Sequence, residues 1–441
     1  MSKLQNIFNG SILQQSCLNG RHTIPSLGLT KRVMKVNAEK ERASLRLVAV
    51  LANTGCVDAV CQQMASYPQY LESFLHLQHY ILQMDGPLPL PYRHYIAIMA
   101  AARHHCGYLV SLHSAQFLKS GGDPQWLKGL EDAPLRLRHL DQLNKVLAHQ
   151  PWLTAHSHIQ ALLKMGEQCW SLAELVQAVV LLAHCHSLAS FVFGSGADSD
   201  PAPLPRAPNG TPPGYSLSDA ANGNLTAPLE HGTRRRRQSL SSSSEGVCLK
   251  DLREGGLVNT KTVQQTELED EEELIKSADP SRFITDPEFG YQEFARREED
   301  HYQVFWVQDY SWDDHGFSLV NRLYSDIGHK LDERFRRVMD LPSTHSPDLK
   351  RAIWNYIHCM LGIRYDDYNY GEINKLLVKD LKLYIKSVAC YPDATKAPRF
   401  PASWSTLEPA ERVHVSLLVM EARLQAELLY ALRAITQYMI A

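Results

Sequence analysis

At roughly 150 residues per domain, a chain of 441 residues has room for two or three domains. Its 45 Lys and Arg against 48 Asp and Glu leave a net charge of -3, which excludes bulk electrostatic attraction to nucleic acid or to an anionic membrane surface. No uninterrupted apolar run reaches the roughly 18 residues that a membrane span requires, so none is expected.

Nine cysteines contain no C-x-x-C pair and no two spaced pairs of zinc-finger type, so no metal site and no cofactor is called for. They read as free thiols in a reducing compartment, which makes this a cytoplasmic or nucleocytoplasmic protein. The start, MSKLQNIFNGSILQQ, lacks the apolar core of a secretory signal.

In chain order, residues 1–35 are polar and aperiodic and are expected to form a flexible N-terminus. Residues 36–194 carry helical periodicity. ERASLRLVAVLA, YLESFLHLQHYILQM, YRHYIAIMAAA and SLAELVQAVVLLAHCHSLASFV place apolar residues three and four apart. Ser171 followed by Glu174 is the signature of a capping box.

Between these helices stands RHHCGYLVSLH, residues 103–113. Gly107 is expected to break or restart the helix, which puts Cys106 at a first turn, where the positive end of the helix dipole lowers a thiol pKa. His113 lies two helical turns on, on the same face, and Tyr108 can join if the chain bends. Thiolate, phenol and imidazole together make a proton relay. The competing reading is a helical interior, where cysteines and satisfied histidines are common.

Residues 195–282 are rich in Pro, Gly, Ser and Asn. Such a segment cannot bury enough apolar surface to offset its ordering entropy, so a long disordered linker is expected. Within it, RRRRQSL places Ser239 behind four arginines, a shape suited both to a basophilic kinase and to a nuclear-localisation patch. An acidic run, TELEDEEEL, follows and can pair with the arginines or simply be solvated.

Within a C-terminal block taken as residues 283–441, helical periodicity returns from about 316 to 338 and again in LKRAIWNYIHCMLGI, GEINKLLVKDLKLYIKSVACY and ERVHVSLLVMEARLQAELLYALRAITQYMI, the last long enough for a central helix. The fold class is therefore all-α, as two helical blocks around a linker. No Walker loop, no G-x-G-x-x-G after a strand and no H-E-x-x-H occurs, which removes nucleotide and zinc-protease chemistry. RYDDYNYGE (364–372) sets Asp366 and Asp367 among tyrosines, an acidic, aromatic turn of the kind found at protein interfaces. It lacks the oxygen spacing of an EF-hand.

HYIAIMAAARHHCGYLVSLH, RAIWNYIHCMLGIRYDDYNYGE and EARLQAELLYALRAITQYM resemble the sestrins, stress-inducible, amino-acid-responsive regulators of TOR signalling. The likeness covers roughly 65–195 and 283–441. It implies two helical halves, each like the AhpD-type alkylhydroperoxidase unit. It also implies a redox role for Cys106, with Tyr108 and His113 as relay partners. The wider AhpD-type motif is C-x-x-C, and Leu109 occupies the second cysteine position here. That leaves a one-cysteine peroxide reaction through a sulfenic acid, reset by an external thiol.

The same resemblance implies a leucine site in the C-terminal half. Glu411 matches the ammonium-binding glutamate, His414 stands one turn on, and Trp404 matches the tryptophan that covers the pocket. Lys350 stands where the family has a carboxylate-binding arginine, keeping the charge but not the bidentate fork. The latch segment is several residues shorter than the family pattern, and Thr344 and Ser346 are the hydroxyls it offers. Asp366 and Asp367 match the pair that contacts the GATOR complex (its second subcomplex), upstream of the TOR kinase. The implied function is leucine-released restraint of TOR signalling, with a cysteine-dependent alkyl hydroperoxide reductase as the alternative.

Overall fold

The computed structural model describes residues 58–164, 166–197, 279–294, 304–342, 346–366, 369–392 and 408–441. The expected N-terminal tail, most of the linker with Ser239, and the site candidates Thr344, Asp367 and Trp404 lie outside the described residues.

The fold is all-α. The helices are α1 (Ala59–Met64), α2 (Pro68–Leu82), α3 (Leu90–Arg103), α4 (Gly107–Lys119), α5 (Leu135–His149), α6 (His156–Leu163) and α7 (Leu172–Ser195) on the N-terminal side. After the undescribed segment come α8 (Phe317–Leu323), α9 (Ile327–Asp340), α10 (Pro347–Met360), α11 (Tyr370–Leu376), α12 (Lys379–Cys390) and α13 (Pro409–Ile440). Two-residue strands, β1 (Phe305–Trp306) and β2 (Ile363–Arg364), pair in parallel, Phe305 opposite Ile363.

Local chemistry sets the helix ends. At α7, the Ser171 hydroxyl accepts from the Glu174 N–H at 3.2 Å while the Glu174 carboxylate accepts from the Ser171 N–H at 2.8 Å, the reciprocal box foreseen in the sequence. The helix stops at Gly196, in the left-handed region at φ 73°. Asp58 caps α1 through the Cys61 N–H at 2.7 Å, and Ser346 caps α10 through the Leu349 N–H at 3.1 Å. Proline in the first turn starts α2, α3, α10 and α13, where its missing N–H is no loss.

α7 and α13, one from each side of the undescribed segment, pack along each other at the centre. α3 lies against α4, α5 and α7; α9 packs on α2 and α13, and α10 on α13. The apolar side chains form one continuous core running from Val60 to Ile435. Every residue of α7 from Leu175 to Val192 is buried. By length and composition α7 alone among the described residues could cross a membrane, but it is the core helix here and is surrounded by protein.

Two buried polar networks cross the α7–α13 seam. In the first, Glu421 of α13 accepts from the Arg334 guanidinium of α9 (Nε at 2.9 Å) and from the Tyr70 hydroxyl of α2, and Arg334 also donates to His184 of α7 at 3.3 Å. In the second, His186 of α7 bridges Glu427 (2.8 Å) and Asn144 (2.9 Å). Arg423 donates to Glu427 (2.7 Å), Ser190 (2.9 Å), His104 (2.7 Å) and the carbonyls of Ala148 (2.8 Å) and Ala389 (2.7 Å). These charges are stripped of water, and oriented hydrogen bonds from their partners replace it, save at the second carboxylate oxygen of Glu421, which has no partner among the described residues.

The chain after the undescribed segment returns to the N-terminal side. Residues 280–283, read in the sequence as the linker's end, form an ordered turn that buries Phe283 against Tyr95. Just beyond, Arg103 donates to the carbonyls of Thr285, Asp286 and Phe289, Lys145 pairs with Asp286 at 2.6 Å, and Asp141 accepts from the Thr285 N–H at 2.8 Å. Phe283, an aromatic side chain three positions past Pro280, is the signal that the linker ends there.

Candidate functional site

The thiol motif sits at the α3–α4 junction. α3 ends at Arg103, His105 takes a left-handed φ of 49°, and α4 restarts at Gly107 with Cys106 as its N-cap residue. The restart falls where the sequence places it, but the reversal is carried by a histidine. Cys106 therefore stands at the positive end of α4, fully buried. A second thiol is close by: burial pushes the Cys185 pKa up and the neighbouring Cys106 adds to the shift.

The two relay candidates face different surroundings. The Tyr108 hydroxyl is raised by burial and by Asp58, and is pulled back by the N-terminal amides of Ala59 and Val60. His113 meets the ring of His94, Nδ1 to Nδ1 at 3.4 Å. Burial, then the neighbouring His94, lowers the His113 pKa to about 3, so its imidazole is neutral and a weak base. Among the described residues no cluster of His, Cys, Asp and Glu has the arrangement of a metal site.

In the C-terminal part, two of the residues assigned to an amino-acid pocket, His414 and Lys350, meet the last turn of α9, and Glu411 stands one helical turn before His414 on α13. His414 of α13 is buried and donates through Nε2–H to the Val338 carbonyl at 2.8 Å. The Lys350 ammonium of α10 donates to the carbonyls of Met339 and Leu341, each at 2.8 Å. A cation there also offsets the negative end of the α9 dipole. Burial draws the Lys350 pKa down, with Asp340 opposing. Glu411 opens α13, its carboxylate accepting from the Glu408 N–H at 3.3 Å. Ser346 is committed to the α10 cap.

Tyr67, from the N-terminal side, completes this corner and was not singled out by sequence. Its ring lies 5.6 Å from that of His414, and its hydroxyl donates to the Ala410 carbonyl at 2.9 Å. Burial and the Glu411 charge raise the Tyr67 pKa to about 12. A residue contributed from more than 300 positions away leaves no periodic trace. A shallow cavity of about 330 Å³ opens beside the same turn, lined by Leu341 and Pro342, with Gln69 on the N-terminal side.

Asp366 is exposed on the turn between β2 and α11. The turn is held from both ends. The Tyr365 N–H donates to the Tyr370 hydroxyl at 3.0 Å, the Tyr365 hydroxyl meets His358 Nδ1 at 3.0 Å, and Asn369 caps α11 through the Gly371 N–H at 3.0 Å.

The fold and these sites define an all-α protein with one buried thiol at a helix start and a polar corner formed between its two ends. The family model described as "PA26 p53-induced protein (sestrin)" matches residues 26–439. Sestrin-3 of Mus musculus is 48% identical over 448 residues, covering 93% of this chain and 90% of the relative. Sestrin-2 of Homo sapiens is 48% identical over 432 residues (93% and 89%), and Sestrin-1 of Macaca fascicularis 46% over 440 residues (93% and 89%). The chain belongs to the sestrin family.

Proposed function

We propose that this protein is a stress- and leucine-responsive regulator that binds the GATOR complex and restrains TOR signalling until leucine releases it. It acts in the cytoplasm and also in the nucleus. The observation that carries the reading is that His414 and Lys350 both bond the C-terminal turn of α9, with Glu411 one helical turn before His414 on α13 and its charge acting on the neighbouring Tyr67. A free amino acid offers a carboxylate and an ammonium, and this corner holds one cation and one anion within a single structural unit. The exposed Asp366, on a turn braced by Tyr365 and Tyr370, supplies the partner surface together with Asp367. By linkage, leucine and partner weaken each other's binding by the same factor.

Calorimetric titration of leucine, with Glu411→Ala as control, tests the first half. Saturable binding weakened at least about tenfold (~1.4 kcal/mol) in the variant supports it, and equal binding by both proteins overturns it. Capture of the GATOR complex should be lost in the Asp366→Ala, Asp367→Ala double variant and diminished by leucine in the parent.

A second reading is favoured by Cys106 at the N-cap of α4. The thiolate attacks the peroxide O–O bond, giving a sulfenic acid and an alcohol, and two equivalents of an external thiol return the cysteine, a disulfide and water. The full burial of Cys106 and the weak basicity of His113 make this the slower chemistry. Cys106→Ser should abolish peroxide consumption and leave capture of the partner intact.

A further inference from the structure

A cavity of about 610 Å³ adjoins the corner formed by Lys350, Glu411 and His414 through Met339 and Asp340, but none of those three residues lines it. It opens between α9, α10 and the turn that precedes α8, and its volume falls within the range of small-molecule sites, roughly 300–1,000 Å³. Trp312, Phe335 and Trp354 supply its aromatic wall. Their rings meet edge to face, Trp312 to Phe335 at 5.1 Å and 84°, Phe335 to Trp354 at 6.0 Å and 80°. Trp312 is 5% exposed, yet its indole N–H has no hydrogen-bond partner among the described residues. That nitrogen exposes almost no surface, so it is the carbons of the Trp312 ring and not its N–H that line the cavity.

Charge selects the ligand class. Arg336 and Asp332, both lining the cavity, neutralise each other as an ion pair. Arg351, Asp313 and Asp340 also line it, and none of the three enters an ion pair among the described residues. A simple organic cation would meet Arg351, a simple anion would meet two carboxylates, and an uncharged ligand would strip water from all three. A zwitterion answers both signs at once.

We infer that this cavity is a second ligand site, one for a zwitterion with a bulky aromatic side chain, such as an aromatic amino acid. The planar guanidinium of Arg351 takes the carboxylate in bidentate fashion, the carboxylates of Asp313 and Asp340 take the ammonium, and Trp312, Phe335 and Trp354 hold the ring. The neighbouring Lys350, one residue earlier on α10, points elsewhere because successive helical residues diverge by about 100°. The two sites are therefore served by adjacent cations on different faces of one helix.

The test is calorimetric titration of L-tryptophan into the full chain, with tryptamine (no carboxylate) and indole-3-propionate (no ammonium) as comparison probes. Arg351→Gln and Asp313→Asn are exposed substitutions, and thermal melts check that each variant keeps its fold. Saturable L-tryptophan binding is expected, weakened at least about tenfold in either variant and unchanged in Glu411→Ala. Each comparison probe should bind at least about tenfold more weakly than L-tryptophan. No saturation at millimolar L-tryptophan, binding indifferent to Arg351→Gln, or binding abolished by Glu411→Ala overturns the assignment. The last outcome would place the ligand in the α9 corner instead, so failure here and failure of the leucine reading are distinguishable.

Discussion

At the residue scale, the interior is notable for neutral imidazoles. Burial lowers His94 to about 4, His113 to about 3 and His358 to about 3. The hydrogen bonds agree with the charge state: His358 donates from Nε2 to the Ala422 carbonyl and receives the Tyr365 hydroxyl at Nδ1, both at 3.0 Å, so one ring proton suffices. In the unfolded chain these rings titrate near 6.5, so between roughly pH 3 and 6.5 the unfolded state binds protons that the folded state does not. Their contribution is present in full above about pH 6.5 and is lost as the pH falls toward the folded values. At about pH 5 each of the three costs about 2 kcal/mol relative to neutral pH. The urea midpoint should therefore drop steeply between pH 7 and pH 5, and a flat profile would show that these rings remain reachable by water. Cys106 and His113 could be paired on paper from their seven-residue spacing. That His113 faces His94 could not, because the contact crosses from α4 to α3. Lys350 was equally opaque: its commitment to two carbonyls depends on where α9 ends in space.

At the element scale, the turn that carries Asp366 is fixed by Gly362. Its φ is +84°, and a Cβ there would stand 2.5 Å from the Phe294 ring and 2.8 Å from the Tyr430 hydroxyl. Gly362→Ala combines left-handed strain with an overpacked contact and should cost about 2 kcal/mol or more, read as a lowered melting temperature. The Tyr430 hydroxyl, which donates to the Leu361 carbonyl at 2.8 Å, would be displaced with it. Most helices were legible because a three-and-four spacing over ten or more residues is a strong signal, and α7 and α13 fall close to their expected spans. The β1–β2 pair was not, since two residues carry no period and the partners are far apart in sequence. The left-handed His105 was also hidden, because glycine is the usual mark of that conformation and Gly107 stands two residues away.

At the scale of the whole molecule, the two helical blocks share one core rather than owning one each. α7 packs along α13, and ionic networks tie α9 and α13 to α2, α5 and α7 across the seam. Cleavage at a protease site engineered between residues 198 and 278 should leave the two fragments associated, co-eluting as one species under native conditions and separating only in denaturant. Independent elution would mean that the seam contributes little. Composition marks a linker between the blocks as a sequence feature, yet it could not say that the blocks would bury each other, because that depends on side chains hundreds of positions apart.

The shared seam also sets the order of events during biosynthesis. α7 emerges from the ribosome long before α13, and its long buried face has no partner until α13 follows. The N-terminal half is an unfinished interior for the whole of that interval, exposing the kind of apolar surface that invites misassembly. Completion of this fold is therefore a late step, and the yield of folded protein should depend on how well the nascent chain is shielded while it waits for its last helix.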